Sequence, residues 1–394
     1  VFYVCYQIPV LTQTFTAGEI AGLGAGGLAF RAVSCRRPLT APPAPGVLYL
    51  PGPLSRPVRS AFVRAARSRS GPFRRLLRAV LTARYRDEAG RCWLRSFLHA
   101  AWGAWLAERA GGPAHFHAQF LDAASTVAFV AAGLGGGTFS FTNHTAYNPY
   151  LAREKLAAAR FAVSISEHDR RGLARFAGGA GAERIRVIYQ GIDTGEWRVP
   201  PLPPRKDGPA RILSVGALRE KKGHEVLLGA LSRLAAEGEA FRAVIVGEGP
   251  RRRALEALVG RLSLGSRVEL AGAEEPDRIR DRMAGSDLFV LACRRARNGD
   301  VDGIPVSLME AMAAGVPVVS TRLSGIPELV TDGEEGRLAP PGDAIALSDR
   351  IREALFRPAE SAEMARRARA KVERQHERRV AVARLAEALR EASR

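Results

Sequence analysis

Between residues 211 and 319, short apolar runs recur at intervals of roughly 25–30 residues. That is too long for hairpins and suits strand–helix–strand units. The runs are Arg211–Val215, Phe241–Val246, Val268–Leu270, Leu288–Leu291 and Val316–Val319. They lack apolar/polar alternation, as expected of strands buried on both faces of a parallel sheet. Between them, apolar residues fall at helical spacing: Val226, Leu227, Leu231 and Leu234, then Leu255, Leu258 and Leu262. Further helices are predicted near 275–284 and 305–314, the second opened by Pro305 and closed by Gly315-Val316-Pro317.

The first half follows the same pattern. Phe2–Tyr6, Phe30–Ser34, Val47–Tyr49, Ala114–Ala118, Thr138–Phe141, Phe161–Ile165 and Ile185–Ile188 read as strands. A helix is expected near 17–27 and a long basic helical region over about 54–110. The proline-stiffened stretch Val199–Arg205 has no place in a core and marks a linker. The expected architecture is α/β: an amino-terminal Rossmann-like domain over 1–200 and a second over 208–375, facing across a cleft. A last helix, 376–394, is expected to pack back on the first domain. The apolar start, Val1–Val10, reads as a first strand rather than a signal peptide. No run reaches the length of a membrane span.

Charge changes this picture more than composition does. The 394 residues carry 59 Lys+Arg against 40 Asp+Glu, a net charge of +19. Residues 1–200 hold +14 of it, and the twelve arginines of 56–95, against Asp87 and Glu88, hold +10. Phe62, Val63, Phe73, Leu76 and Leu77 are interleaved with those arginines, a mixture suited to an anionic membrane surface. A solvated arginine-rich helix is the plainer alternative, since only five of the 59 cations are lysine. Cys5, Cys35, Cys92 and Cys293 form no metal-ligand spacing, and a reduced, cytoplasmic compartment is the simplest reading.

Ligands of open α/β sheets sit at the carboxyl ends of strands, so the loops there are the first candidates for chemistry. The loop after Val215 reads Gly216-Ala217-Leu218-Arg219-Glu220-Lys221-Lys222-Gly223, a close-approach glycine followed by cations. The loop after Leu291 leads through Asp302, Gly303, Ile304, Pro305 and Val306 into a helix carrying Glu310 among Leu308, Met309, Ala311 and Met312. A carboxylate so surrounded needs a partner.

Asp302-x7-Glu310, followed by Ala-Met-Ala-Ala-Gly-Val-Pro-Val-Val-Ser-Thr, resembles the E-x7-E signature of retaining glycosyltransferases of family 4, which have the GT-B fold. Ser214-Val215-Gly216, Lys221-Lys222-Gly223, Val246-Gly247-Glu248-Gly249-Pro250 and Ser324–Val330 match the same pattern. In the first half, Pro9–Phe15, His115–Phe120, Phe139–His144 and Gly191-Ile192-Asp193 resemble the colanic-acid and exopolysaccharide branch. The resemblance implies a sugar transferase using a nucleoside diphosphate sugar, with neither metal nor organic cofactor. It places Lys222 on the donor diphosphate, Glu310 on the ribose, Asp302 on hydroxyls of the transferred sugar and His144 near its reacting carbon. Gly216, Arg219, Gly247, Gly303, Ile304, Pro305 and Val306 complete the implied donor site. The implied acceptor is a glycan, lipid-linked, met at the inner face of a membrane.

Three positions depart from the family pattern. Ala217 stands where arginine is usual, with Arg219 two residues on; Asp302 replaces a glutamate; Gln13 occupies a commonly acidic position. His115 and His117 flank a strand and read as structural. The alternative to an enzyme is a decayed GT-B protein that binds membrane or nucleic acid through its arginines. Nothing in the sequence resembles a nucleic-acid module, and no lysine suits the pyridoxal phosphate of a phosphorylase.

Overall fold

The computed structural model describes residues 1–8, 14–38, 42–68, 71, 73–74, 78, 92–144, 151–197 and 208–394. Two compact units emerge, Val1–Tyr189 together with Arg379–Arg394, and Gln190–Arg378. The change-over precedes the proline-rich stretch 199–205, which lies outside the described residues, as do 9–13 and most of 69–91.

The first unit contains a sheet of β1 (Phe2–Gln7), β2 (Arg31–Arg36), β3 (Leu48–Tyr49), β4 (His115–Gln119), β5 (Thr138–Asn143), β6 (Phe161–Ser164) and β7 (Ile185–Val187). Their order is β3-β2-β1-β4-β5-β6-β7, and every pairing is parallel. The apolar runs are therefore covered on both faces. Phe116, Phe139 and Phe141 pack with Val127, Ala128 and Ala131 of helix Ala123–Gly135 on one side. On the other, Tyr3, Phe161 and Val163 pack against Val382, Leu385 and Leu389 of the last helix, Arg378–Ser393. Each fully buried side chain of this size contributes about 1.5–3 kcal/mol. Within the predicted basic helical region, Arg56–Ser68 and Cys92–Ala110 are helices.

The second unit holds β8 (Ala210–Val215), β9 (Phe241–Val246), β10 (Val268–Gly272), β11 (Leu288–Val290), β12 (Val318–Thr321) and β13 (Arg337–Ala339). Their order is β10-β9-β8-β11-β12-β13, again with parallel pairings. β12 starts two residues later than its apolar run suggests, because Pro317 has no N–H to donate to the ladder. β13, opening on a buried arginine, carries no apolar signal and was not anticipated. Chain order reverses between β1 and β4 in one sheet and between β8 and β11 in the other. Open α/β sheets bind their ligands at such switch points, beyond the carboxyl strand ends.

Candidate functional site

In the second unit the loops leaving β8 and β11 flank the switch point, and their charged side chains meet there. The Lys222 ammonium lies 2.7 Å from one Asp302 oxygen, and Lys221 lies 3.3 Å from the other and 3.2 Å from Asp300. The Cys293 thiol, just past β11, approaches Asp302 at 3.6 Å. Burial alone would discharge Lys222, but the charge of Asp302 outweighs it and holds the ammonium above its ordinary range. Burial would likewise raise Asp302; Lys222 and then Lys221 outweigh it and hold the carboxyl low. The Cys293 thiol is driven up, chiefly by burial and then by Asp302, and stays protonated.

Backbone geometry explains why these loops can approach so closely. Gly223 has φ +68°, and a Cβ there would sit 1.7 Å from the Ala292 carbonyl oxygen. Gly247, at φ +145°, passes so near Gly216 that a Cβ would lie 2.1 Å from its carbonyl oxygen. Gly216 in turn is covered by the Lys222 stem, 3.2 Å from where its Cβ would be. These glycines bring β8, β9 and β11 loops together.

Glu310 stands in helix Val306–Ala313, which begins after Pro305. Its carboxyl is pushed up to about 7, first by burial and then by the charge of Glu196, against the pull of Lys222 and Arg280. Gly303, Ile304 and Pro305 are buried at the start of that helix, and the Gly325 N–H donates to the Gly303 carbonyl at 3.2 Å. Lys222, Asp302, Gly216, Gly247 and Glu310 thus share one neighbourhood. Arg219 is exposed, and among the described residues its side chain forms no hydrogen bond or ion pair with this cluster. His224, next to Lys222, is buried and neutral, its ring lowered to about 4 by burial and then by that ammonium.

His144 belongs to the first unit, immediately after β5. Its Nε2 bonds the Gln119 amide oxygen at 2.7 Å, and its ring packs on Phe120 with centroids 4.5 Å apart. Phe120 has φ +70°, an unusual conformation for a bulky residue and one associated with functional sites. His115 and His117 are buried in a hydrogen-bonded ladder with Thr138, Ser140 and Thr142, at 2.7–3.1 Å, which satisfies their ring nitrogens. Among the described residues, no group of three or more His, Cys, Asp or Glu is placed to hold a metal ion.

Lys221, Cys293, Gln119 and Phe120 were not singled out by sequence reasoning. Gln119 gave a faint signal, a polar residue at the carboxyl end of β4; Cys293 gave none.

Residues 198–371 match the model of the glycosyl transferases group 1 family. The WcaL protein of Escherichia coli K12, named for colanic acid biosynthesis, is 41% identical over 199 residues, 50% of this chain and 48% of that one. The amylovoran biosynthesis glycosyltransferase AmsK of Erwinia amylovora is 38% identical over 211 residues, 54% of this chain and 52% of that one. The matches to these curated relatives thus span about half their length. In fold, the Anabaena HepE structure in complex with UDP and glucose aligns with a TM-score of 0.72 at 18% identity, covering 99% of both chains. A glycosyltransferase from Rickettsia africae gives 0.73 at 15% identity, covering 99% of this chain and 98% of that one. Two parallel α/β sheets with full-length similarity to such structures are the GT-B fold. Through residues 198–371 the chain is similar to the group 1 glycosyltransferases.

Proposed function

We propose that the protein transfers a sugar from a nucleoside diphosphate sugar to a glycan acceptor, with the anomeric configuration retained. The observation that carries this reading is the buried Lys222–Asp302 pair at the β8/β11 switch point, with Glu310 beside it. A diphosphate entering there competes with Asp302 for the Lys222 ammonium. Asp302, once relieved, can accept hydrogen bonds from hydroxyls of the sugar, and Glu310 can accept two from the ribose. The N–H groups opening helix Val306–Ala313 add partial positive charge.

In the reaction the bond from the anomeric carbon to the diphosphate oxygen breaks, its electron pair staying on phosphate. The acceptor oxygen bonds the same face, and its proton passes to the departing phosphate oxygen. Lys222 stabilises the charge that develops there. His144, in the first unit, is assigned to the sugar near its reacting carbon.

UDP-sugars are the first donors to test, because HepE was solved with UDP and glucose. GDP-mannose follows, being the donor named for a mycobacterial mannosyltransferase 30% identical over 154 residues. Thermal-shift titration with UDP-, GDP- and ADP-sugars, followed by transfer assays on any hit, tests the reading. Absence of stabilisation by every nucleotide, with Glu310→Gln as active as the wild type, would overturn it.

The acceptor side is assigned to an anionic membrane surface carrying a lipid-linked glycan. Helix Arg56–Ser68 buries Val58, Ala61 and Ala65, while Leu54 and Val63 are 64% and 46% exposed beside Arg56, Arg59 and Arg67. Apolar tips among cations suit insertion at a headgroup boundary. No described helix is long and apolar enough to cross a membrane. Flotation with vesicles of increasing anionic lipid tests the docking; binding that ignores lipid charge would refute it.

A further inference from the structure

Beneath His144 lies a closed triangle of hydrogen bonds that sugar transfer, as described so far, does not use. Tyr3 of β1, Glu19 of helix Thr14–Ala25 and Gln119 of β4 meet there. Tyr3 and Gln119 are fully buried, and Glu19 is half-buried. The Tyr3 hydroxyl donates to Glu19 Oε1, and the Gln119 amide nitrogen donates both to the Tyr3 oxygen and, at 2.6 Å, to Glu19 Oε1.

The orientation of the Gln119 amide sets the direction of the whole set. Its nitrogen faces Tyr3 and Glu19, so its oxygen is the atom turned to His144, at 2.7 Å. An oxygen that can only accept requires a donor opposite it, so the proton of His144 must be on Nε2. In the neutral ring Nδ1 is then the basic nitrogen. Phe120, the residue after Gln119, holds the ring plane from one side.

From this geometry we propose that Glu19 and Gln119 are positioning residues for His144. Glu19 locks the Gln119 amide in one orientation, and that amide holds the imidazole with Nε2 as donor. The inference rests on His144 serving the sugar site. Glu19 itself is pushed up to about 7, by burial against the bonds from Tyr3 and Gln119, which ties its accepting role to the neutral range. Among the described residues, the other ionisable groups facing this set are Cys5 beside Glu19 and His117 beside His144. Burial raises the first and lowers the second, so both stay uncharged.

The experiment is nitrogen-15 histidine NMR on the full chain, with transfer assays on the same samples. In the wild type, His144 should show an Nε2 proton protected from solvent exchange and a bare Nδ1. Gln119→Glu, which keeps the shape, replaces the amide by an anion. His144 should then hold both protons and titrate about one pH unit or more higher. Glu19→Gln removes the charge that orients the amide; exchange protection at Nε2 should fall at least tenfold, and kcat should fall with the UDP dissociation constant unchanged within twofold. An Nδ1 proton in the wild type, or an unaltered His144 signature in both variants, would overturn the positioning. A His144→Ala protein with wild-type transfer would instead overturn the role of His144 while leaving the NMR result standing.

Discussion

The two units solve the same topological problem with opposite chemistry. Both carry a parallel sheet with a switch point, and both place polar side chains beyond the strand ends there. In the second unit the polar set is ionic: two lysines against Asp302, with Asp300 beside Lys221. In the first it is a set of hydrogen bonds linking Tyr3, Glu19 and Gln119, with His144 donating to the Gln119 amide oxygen. Each unit also holds one carboxyl pushed up to about 7 mainly by burial, Glu310 and Glu19. An ionic cluster exchanges partners when a competing anion arrives, whereas a hydrogen-bond set fixes a proton. Under the proposed function, the first would take a leaving diphosphate and the second would orient a ring beside the sugar.

The largest expected effect comes from breaking the ionic side. Lys222→Ala should lower sugar transfer about 10²–10³-fold, the loss typical of removing one group that stabilises developing charge. Steady-state kinetics with a responsive donor checks this, and a loss below tenfold would place the phosphate elsewhere.

Glu310 sharpens the comparison through pH. In its proposed role the carboxyl must be ionised to accept from two ribose hydroxyls, so donor affinity should rise about tenfold from pH 6 to 8. In Glu310→Gln the dependence should flatten, as isothermal titration would record. The stability effect has the opposite sign. A carboxyl raised from 4.5 to about 7 by folding contributes its full stability below pH 4.5 and loses it as pH climbs through 7. Glu310→Gln should therefore gain melting temperature relative to the wild type at pH 8 and not at pH 4.5.

Asp302→Asn separates binding from transfer. With the carboxylate gone, Lys222 is free for phosphate, so UDP should bind as well as before or a few-fold better. Transfer should nonetheless fall, because the sugar loses an acceptor for its hydroxyls. Weaker UDP binding would mean that Asp302 organises the lysines rather than competing for them. The smallest effect is expected at Tyr3→Phe, which removes two sides of the triangle and leaves the Gln119–Glu19 bond. Transfer should drop about twofold, with His144 still protonated on Nε2.

How much of this could be read from the chain depended on whether a residue's role is local. The β8 and β11 loops were legible because Gly216, Lys222, Asp302 and Glu310 sit in short segments whose order and spacing carry the pattern. Helix Val306–Ala313 was bounded correctly by Pro305 and Gly315. The triangle in the first unit was not legible, because Tyr3, Glu19 and Gln119 are brought together only by sheet order: β1 lies beside β4, more than a hundred residues away. β13 was hidden for a different reason: three residues starting with Arg337 do not look apolar, although Glu353 and Glu360 pair that arginine inside the unit.

The last helix has a consequence for how the protein is made. The first unit ends at Tyr189, yet its core is completed by Val382, Leu385 and Leu389, which leave the ribosome after the whole second unit. At about 5–20 residues per second, that interval is roughly 10–40 s. During it the face of Tyr3, Phe161 and Val163 stands uncovered while the second unit can already fold. The amino-terminal half, though synthesised first, finishes last, and a ribosome stalled before Arg378 leaves an apolar sheet face exposed to chaperones.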